Sequence, residues 1–496
     1  GTGSSAILAR VCTAMLVLAA VNSFAAAGVA EDIWLPSEKR FWRGDYRGAL
    51  EELVRAAVRE NDPAMIEYGV FRMAETVRYP ELVPAGIHAC KRLLSENGAV
   101  DRNEALRARI RLLQAWLSLR NGDTAAAEEI SDGLGFVKDY RVIGPFDSHT
   151  AALPDSGPAP VKEDGVGSPV PGKLYPVRWF DARADRMSIL DPGERNLDAA
   201  DVVYFIAADF TTRADETRVF HIGKTGQTQI WIDDKPVFKS VTRHRFAHDQ
   251  YRVAVRCAPG VHRLLVRLGD SLTDGVKFSL RHVALDDTGS KSPPGTRPET
   301  GVPWFSALRE LSARAGEGGP DAAFRAGYLM YAAGLDSEET GEALSLFQSA
   351  LDSDSYGRVA RYYLALSRDD EEKRETLLRQ AAEGDCTALL PLVKLAEARI
   401  GNGFFHEAPP LIKRIRGINP SCPAALELES LYFIERGWYD EALKCATSLI
   451  ESGFPSSGRA VRARVLNLRR SYRSASDEYG ILCDMDRYNR THVKAL

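Results

Sequence analysis

The sequence predicts a multidomain α + β protein in which an α-solenoid of helix pairs flanks an antiparallel, jelly-roll-like β-sandwich. Three observations carry this reading. Apolar residues recur at helical spacing through residues 31–135 and again through 300–496. Residues 136–290 switch to β-branched and aromatic residues in period-two alternation, punctuated by Gly, Pro and Asp. Within the second helical part, Gly403-Phe-Phe-x-x-Ala408 returns 34 residues later as Gly437-Trp-Tyr-x-x-Ala442, and a fixed period of that length marks stacked structural repeats.

Composition bounds the function classes. A chain of 496 residues exceeds one ordinary domain, since domains average roughly 150 residues. Hydrophobic content of 45% and charged content of 27% exclude wholesale disorder and collagen-like repetition. Lys plus Arg number 64 against 68 Asp plus Glu, a net charge of −4, so no global field draws the chain to nucleic acid or anionic lipid. Seven cysteines without a C-x-x-C are no disulfide scaffold.

Residues 1–27 read as a signal peptide. Arg10 precedes an apolar run at 11–21, followed by Ser23, Phe24 and the small residues Ala25, Ala26 and Ala27. The run is shorter than the roughly 20 residues a membrane-spanning helix needs. Cleavage is expected near Ala27 or Ala30, leaving a periplasmic or secreted chain with no stable membrane span. The chain opens Gly-Thr-Gly, so its true start is expected upstream or misread. Cys12 has no small-residue lipoprotein-type site before it. An oxidising compartment lets the other six cysteines pair, but the scatter of Cys90, Cys257, Cys386, Cys422, Cys445 and Cys483 favours buried thiols.

The helical parts follow from the repeats. Helices are expected at 389–400 and 424–434, each followed by the Gly-aromatic-aromatic turn and a second helix. The small Ala lets two helices approach closely, the Gly tolerates the turn, and Pro420 and Pro455 end the second helices. These residues resemble the tetratricopeptide repeat. Gly44-Asp-Tyr-x-x-Ala49, with Leu53 and Ala56, is a half-motif, and Gly122-Asp-Thr-x-x-Ala127 follows a helix at 105–119. Ala343, Phe347 and Ala350 keep second-helix spacing, and a degenerate last unit surrounds Ser471 and Tyr472. Gly44 and Gly122 lie 78 residues apart, not a multiple of 34, so irregular helices intervene. The resemblance implies a groove for an extended peptide or a partner helix, lined by Val393, Glu397, Glu427 and Leu431.

In the middle region, 140–146 opens a series of strands at 202–210, 217–222, 229–233, 250–255, 261–268 and 276–284. Residues 233–236 and 258–260 have hairpin-turn chemistry, and 154–176 reads as a long loop. His262, Leu264, Val266 and Leu268 share one face of their strand. Residues 291–299 form a Pro- and Gly-containing linker to the second helical part. The phrases RVIGPFD (141–147), TQIWIDDKPV, PGVHRLLVRLGD and VKFSLRHVALDDTG resemble the β-sandwich inserted among tetratricopeptide repeats in some exported bacterial proteins. There a transglutaminase-like domain often follows, so the resemblance implies that this chain is the non-catalytic half of such an enzyme. The region is also similar to sugar-binding jelly rolls of the galactose-binding and protective-antigen types, implying a carbohydrate-binding module of the cell envelope.

Candidate chemistry is sparse. Cys386 sits near a helix start but lacks the histidine and carboxylate of a cysteine nucleophile. His244 and His248, with Asp249, lie between strands and read as a solvated loop rather than a zinc site. Asp233-Asp234 is explained by a turn. Protective-antigen-type sites carry an acidic pair before the 229–233 strand, where this chain has Gly223-Lys-Thr-Gly226, so calcium is not expected. Trp179 and Trp231 either stack on a sugar or belong to the core, which sandwiches commonly fill with tryptophan. Arg459, Arg462, Arg464, Arg469, Arg470 and Arg473 suit an acidic partner rather than nucleic acid. Residues 369–372 read as an acidic helix start. The expectation is a non-enzymatic scaffold for a protein or peptide partner, without cofactor, metal or catalytic residue; polysaccharide is the alternative ligand.

Overall fold

Left-handed glycines divide the helical parts into pairs, where the sequence places them. In the computed structural model, which describes residues 32–148, 169–195, 201–243, 245–269, 275–284, 306–335, 341–368, 370–383 and 387–486, Gly44, Gly122, Gly403 and Gly437 have φ of 73°, 81°, 78° and 72°. Each ends a helix in a conformation that costs glycine least. The alanine five residues on (Ala49, Ala127, Ala408, Ala442) is fully buried at each helix crossing. The described residues hold 18 α-helices and antiparallel sheets, the multidomain α + β class expected.

The N-terminal helices are α1 (Leu35–Trp42), α2 (Tyr46–Arg59), α3 (Pro63–Thr76), α4 (Val83–Glu96), α5 (Gly98–Asp101), α6 (Glu104–Arg120) and α7 (Thr124–Gly133). Side chains of Asp45, Asp62, Asn97, Asn103 and Asp123 cap five of them by accepting backbone N–H groups. After the sandwich come α8 (Ser306–Gly316), α9 (Pro320–Ala332), α10 (Glu342–Ser349), α11 (Gly357–Leu366), α12 (Glu371–Ala382), α13 (Leu389–Gly401), α14 (Ala408–Ile418), α15 (Pro423–Glu435), α16 (Tyr439–Glu451), α17 (Pro455–Leu468) and α18 (Tyr472–Met485). Asp370 caps α12 by accepting from the Lys373 N–H, with Glu371 and Glu372 in the first turn, the acidic helix start expected; Asp369 lies outside the described residues. Pro455 corrects the repeat reading. It opens α17 at the first helical position, as Pro423 opens α15, because proline's missing N–H costs nothing there.

The two helical parts are joined. Helix α3 packs on α8 and α9, and one apolar core runs continuously from Trp34 to Leu428. Residues 285–305, which include the expected linker, lie outside the described residues.

The middle region is a two-sheet antiparallel sandwich. Strands β1 (Asp139–Asp147), β4 (Phe180–Arg183), β5 (Val202–Thr212), β7 (Gln227–Ile232), β8 (Lys235–Ser240) and β10 (Gly260–Gly269) form one sheet in the order β4-β1-β5-β10-β7-β8. Strands β6 (Glu216–Lys224), β9 (Tyr251–Cys257) and β11 (Phe278–Ala284) form the other in the order β11-β6-β9. Alternation sets the core: Tyr204, Ile206, Ala208 and Phe210 of β5 meet Leu264, Val266 and Leu268 of β10 and Phe220 and Ile222 of β6 inside.

Asp233 and Asp234 both take positive φ, 49° and 61°, and form the two-residue turn of the β7–β8 hairpin. Residues 258–260 depart from expectation. They carry the chain from β9 in one sheet to β10 in the other, because β10 pairs with β5 and β7 instead. The end of the expected 154–176 loop is also structured, as the short pair β2 (Val170–Pro171) and β3 (Pro176–Val177).

Candidate functional site

The expected groove lies on the side of the first helix of each pair, and the chain's own N-terminal helices occupy part of it. At the α1–α2 turn a Cβ added to Gly44 would stand 2.7 Å from Cys422 Sγ and 3.3 Å from Leu389, so only glycine fits this approach. Asn419 Nδ2 donates to the Arg43 carbonyl at 3.0 Å. Glu427, an expected groove residue, accepts from Tyr79 Oη at 3.4 Å and Ser457 Oγ at 2.5 Å. Burial raises the pKa of its carboxyl. Tyr79 also packs edge-on against Phe454, and Glu81 accepts the Ser456 N–H. Val393 is buried in the shared core, Leu431 packs against it, and Glu397 pairs with Lys394 at 2.7 Å.

A buried polar network fixes this arrangement. Arg72, 1% exposed, donates to both Glu38 oxygens at 2.8 and 2.5 Å, to Glu75 at 2.6 Å and to Tyr363 Oη at 2.6 Å. Tyr68 donates to Glu38, and Tyr328 and Tyr363 to Glu75. Burial pushes all three phenols well above their ordinary pKa. The guanidinium also lies 4.4 Å from the Phe41 ring centre and 4.7 Å from that of Tyr328. Farther along, Arg120 meets Asp486 at 3.1 Å, both buried. Sequence reasoning missed these partners; Arg72 lies 291 residues from Tyr363 and Arg120 lies 366 from Asp486.

The opposite ends of these helix pairs are open. At the turns of the last three pairs stand Phe404, Trp438 and Tyr472, 43%, 47% and 63% exposed. The guanidinium of Arg436 lies 5.3 Å from the Trp438 ring centre and 5.7 Å from that of Phe405. Within the expected basic stretch, Arg459 and Arg462 pair with Glu478, Arg464 with Glu435, and Arg469 with Asp440.

On the sandwich, Trp231 is only 3% exposed and packs with Ala207 and Leu265, with Trp179 partly buried against them. Trp231 therefore has no free face for a sugar. Beside this cluster is a shallow cleft of about 410 Å³ lined by Asp139, Arg141, Asp181, Arg183, Ala207 and Asp209, among others. Asp233 is more than a turn residue: its Oδ2 lies 2.6 Å from His262 Nδ1, while His262 Nε2 lies 2.7 Å from the Ala258 carbonyl. This hydrogen bonding raises the histidine's pKa. The Lys224 ammonium, fully buried, donates to the Thr242 carbonyl at 2.5 Å.

The 245–249 segment is a docking joint rather than a solvated loop. Arg245 donates to the Tyr331 carbonyl at 2.7 Å and Gln250 to that of Ala333 at 3.0 Å. His248 Nδ1 meets Ser279 Oγ at 3.1 Å, and the His248 carbonyl accepts from Arg109 of α6. Asp249 binds Arg281 bidentately in the interior. Burial lowers the pKa of His248 to about 4 and that of His221 to about 3, against the nearby Asp249. His244 and Cys386 lie outside the described residues. Of the described cysteines, Cys90, Cys257, Cys422 and Cys445 are buried. Burial raises the thiol pKa of Cys90 to about 12 and of Cys422 and Cys445 to about 11. Among the described residues no cluster of three or more His, Cys, Asp or Glu side chains is disposed to hold a metal, and no helix is long and apolar enough to cross a membrane.

No protein-family model matches the chain, and no curated protein matches it. Among solved structures, a β-glucosidase from Kluyveromyces marxianus overlaps 36% of this chain at 12% identity and a TM-score of 0.20, and the chain spans only 18% of its length. The same enzyme in complex with glucose overlaps equal shares at 10% identity and 0.19. Yeast Tom70 overlaps 91% of this chain and 75% of its own at 9% identity and a TM-score of 0.30. Overlaps of that degree assign no shared fold.

Proposed function

We propose that the chain is an exported, non-catalytic scaffold that binds a protein or peptide through its helical-repeat array. The observation that supports this most is the array itself: helix pairs at a 34-residue period present serial surfaces, which suit an extended partner better than a small substrate. Export rests on the charge, apolar run and small residues of 1–27. The likeness to the non-catalytic half of transglutaminase-like repeat proteins fits the same role. Affinity capture with the full chain from its own envelope fraction, with sequencing of the mature N-terminus, tests both parts. The expected result is a stoichiometric protein partner and an N-terminus near residue 28 or 31. A chain that retains residues 1–27 in the cytoplasmic fraction sinks the export reading, and recovery without any partner sinks the scaffold.

The polar cleft beside Trp179 favours a second reading, a carbohydrate-binding sandwich. Carboxylates and guanidinia around Ala207 are suited to sugar hydroxyls. A glycan array with the full chain checks it: saturable binding lost in Arg141→Ala and Asp181→Ala supports a sugar site, and no binding removes it.

A further inference from the structure

We infer that the exposed turn edge of the last three helix pairs docks an extended, acidic peptide segment of a partner protein, with apolar side chains at about every third residue. This deepens the scaffold reading and rests on it. The first-helix side is partly occupied by the chain's own α1–α3 region, so the array's open apolar surface lies elsewhere. Phe404, Trp438 and Tyr472 supply it, one per helix pair, each at a turn and about half exposed.

The charge of this edge decides the occupant. Arg436 is exposed and stacked on two rings, and among the described residues it has no carboxylate partner. Such a guanidinium is held in place before a ligand arrives, which lowers the entropy lost on binding. Arg470 stands at φ 61°, where the two preceding pairs have Gly403 and Gly437. A side chain is disfavoured in that conformation relative to glycine. Arg473 sits in the first turn of α18, which has no acidic residue in that turn and no side-chain cap. A cation at a helix N-terminus is electrostatically misplaced until an anion arrives. Neither Arg470 nor Arg473 has an ion-pair partner among the described residues. Helices pack about 10 Å apart and a chain extended as polyproline II rises about 3.1 Å per residue with three residues per turn, so three ligand residues span one rung and bring the next apolar side chain to the same face.

The test is fluorescence anisotropy with the full chain and a labelled twelve-residue peptide of Glu-Glu-Leu triplets, beside Lys-Lys-Leu and Glu-Glu-Ser counterparts. The acidic apolar peptide is expected to bind saturably, at least tenfold tighter than either counterpart. Trp438→Ala and Arg436→Glu should each weaken it tenfold or more without moving the melting temperature, because both side chains are exposed. Absence of saturable binding, equal binding of the lysine peptide, or unchanged affinity in both variants overturns the proposal. So does dimerisation of the chain that Trp438→Ala abolishes, which gives the edge to a second copy. Binding of phosphatidylglycerol vesicles in preference to the peptide overturns it too. If the variants still capture the protein partner from the envelope fraction at wild-type levels, the edge is wrong and the scaffold stands.

Discussion

Two of the joints among the described residues are each built on a buried arginine–carboxylate pair but set in different surroundings. Where the helical parts meet, Arg72 and Glu38 lie among tyrosines that burial keeps as neutral hydroxyls. Where the sandwich meets the helices, Arg281 and Asp249 lie beside His221 and His248, which burial keeps neutral against their ordinary tendency to protonate in mild acid. The same kind of charge pair therefore sits in one joint among phenols that mild acid leaves neutral, and in the other beside histidines whose protonation acid favours.

The largest effect should come from breaking the first joint. Arg72→Ala leaves Glu38 buried without its counter-charge, and such a loss costs about 3–5 kcal/mol. Urea denaturation of the full chain should show it, and a change under about 1 kcal/mol would mean the site relaxes to admit water. Acid should sharpen the contrast next. A histidine whose folded pKa is depressed favours the unfolded state as pH falls below its ordinary 6.5, and the loss continues to the folded value, about 4 for His248. The ceiling is on the order of 3 kcal/mol. Hydrogen exchange between pH 7 and pH 4 should therefore open 245–250 and 331–334 before 68–76. Equal opening of both joints would contradict the comparison.

The smallest effect belongs to His262, whose pKa is shifted the other way by Asp233. Its contribution is complete below the ordinary histidine pKa and fades as pH rises through the raised one. Asp233→Asn should cost about 1 kcal/mol, more at pH 5.5 than at pH 8.5, measured as the shift in denaturation midpoint.

Local features were legible in the sequence because they depend on neighbours a few residues apart. Gly403 and Gly437 announced their turns, Ala408 and Ala442 their crossings, and six strands of the sandwich showed in period-two alternation. The β8 strand, as long as β7, was hidden by Pro236, and β4 by its four-residue length. The joints were not legible at all: Arg72 and Tyr363 lie 291 residues apart, and neither carries a local signal of the other. For the candidate surface the outcome is divided. Register placed Glu427 on the first-helix side, but Tyr79, which occupies it, belongs to the other helical part. The basic stretch at 459–473 was visible, while its division into paired and unpaired arginines needed the fold.

The seating of α1–α3 against helices made much later also governs how the chain is born. Tyr79 waits 348 residues for Glu427, and Arg120 waits 366 for Asp486. At a synthesis rate of roughly 5–20 residues per second, the first helices spend tens of seconds with an apolar flank uncovered. A nascent chain of this design has a long interval in which a holding chaperone competes with premature self-association.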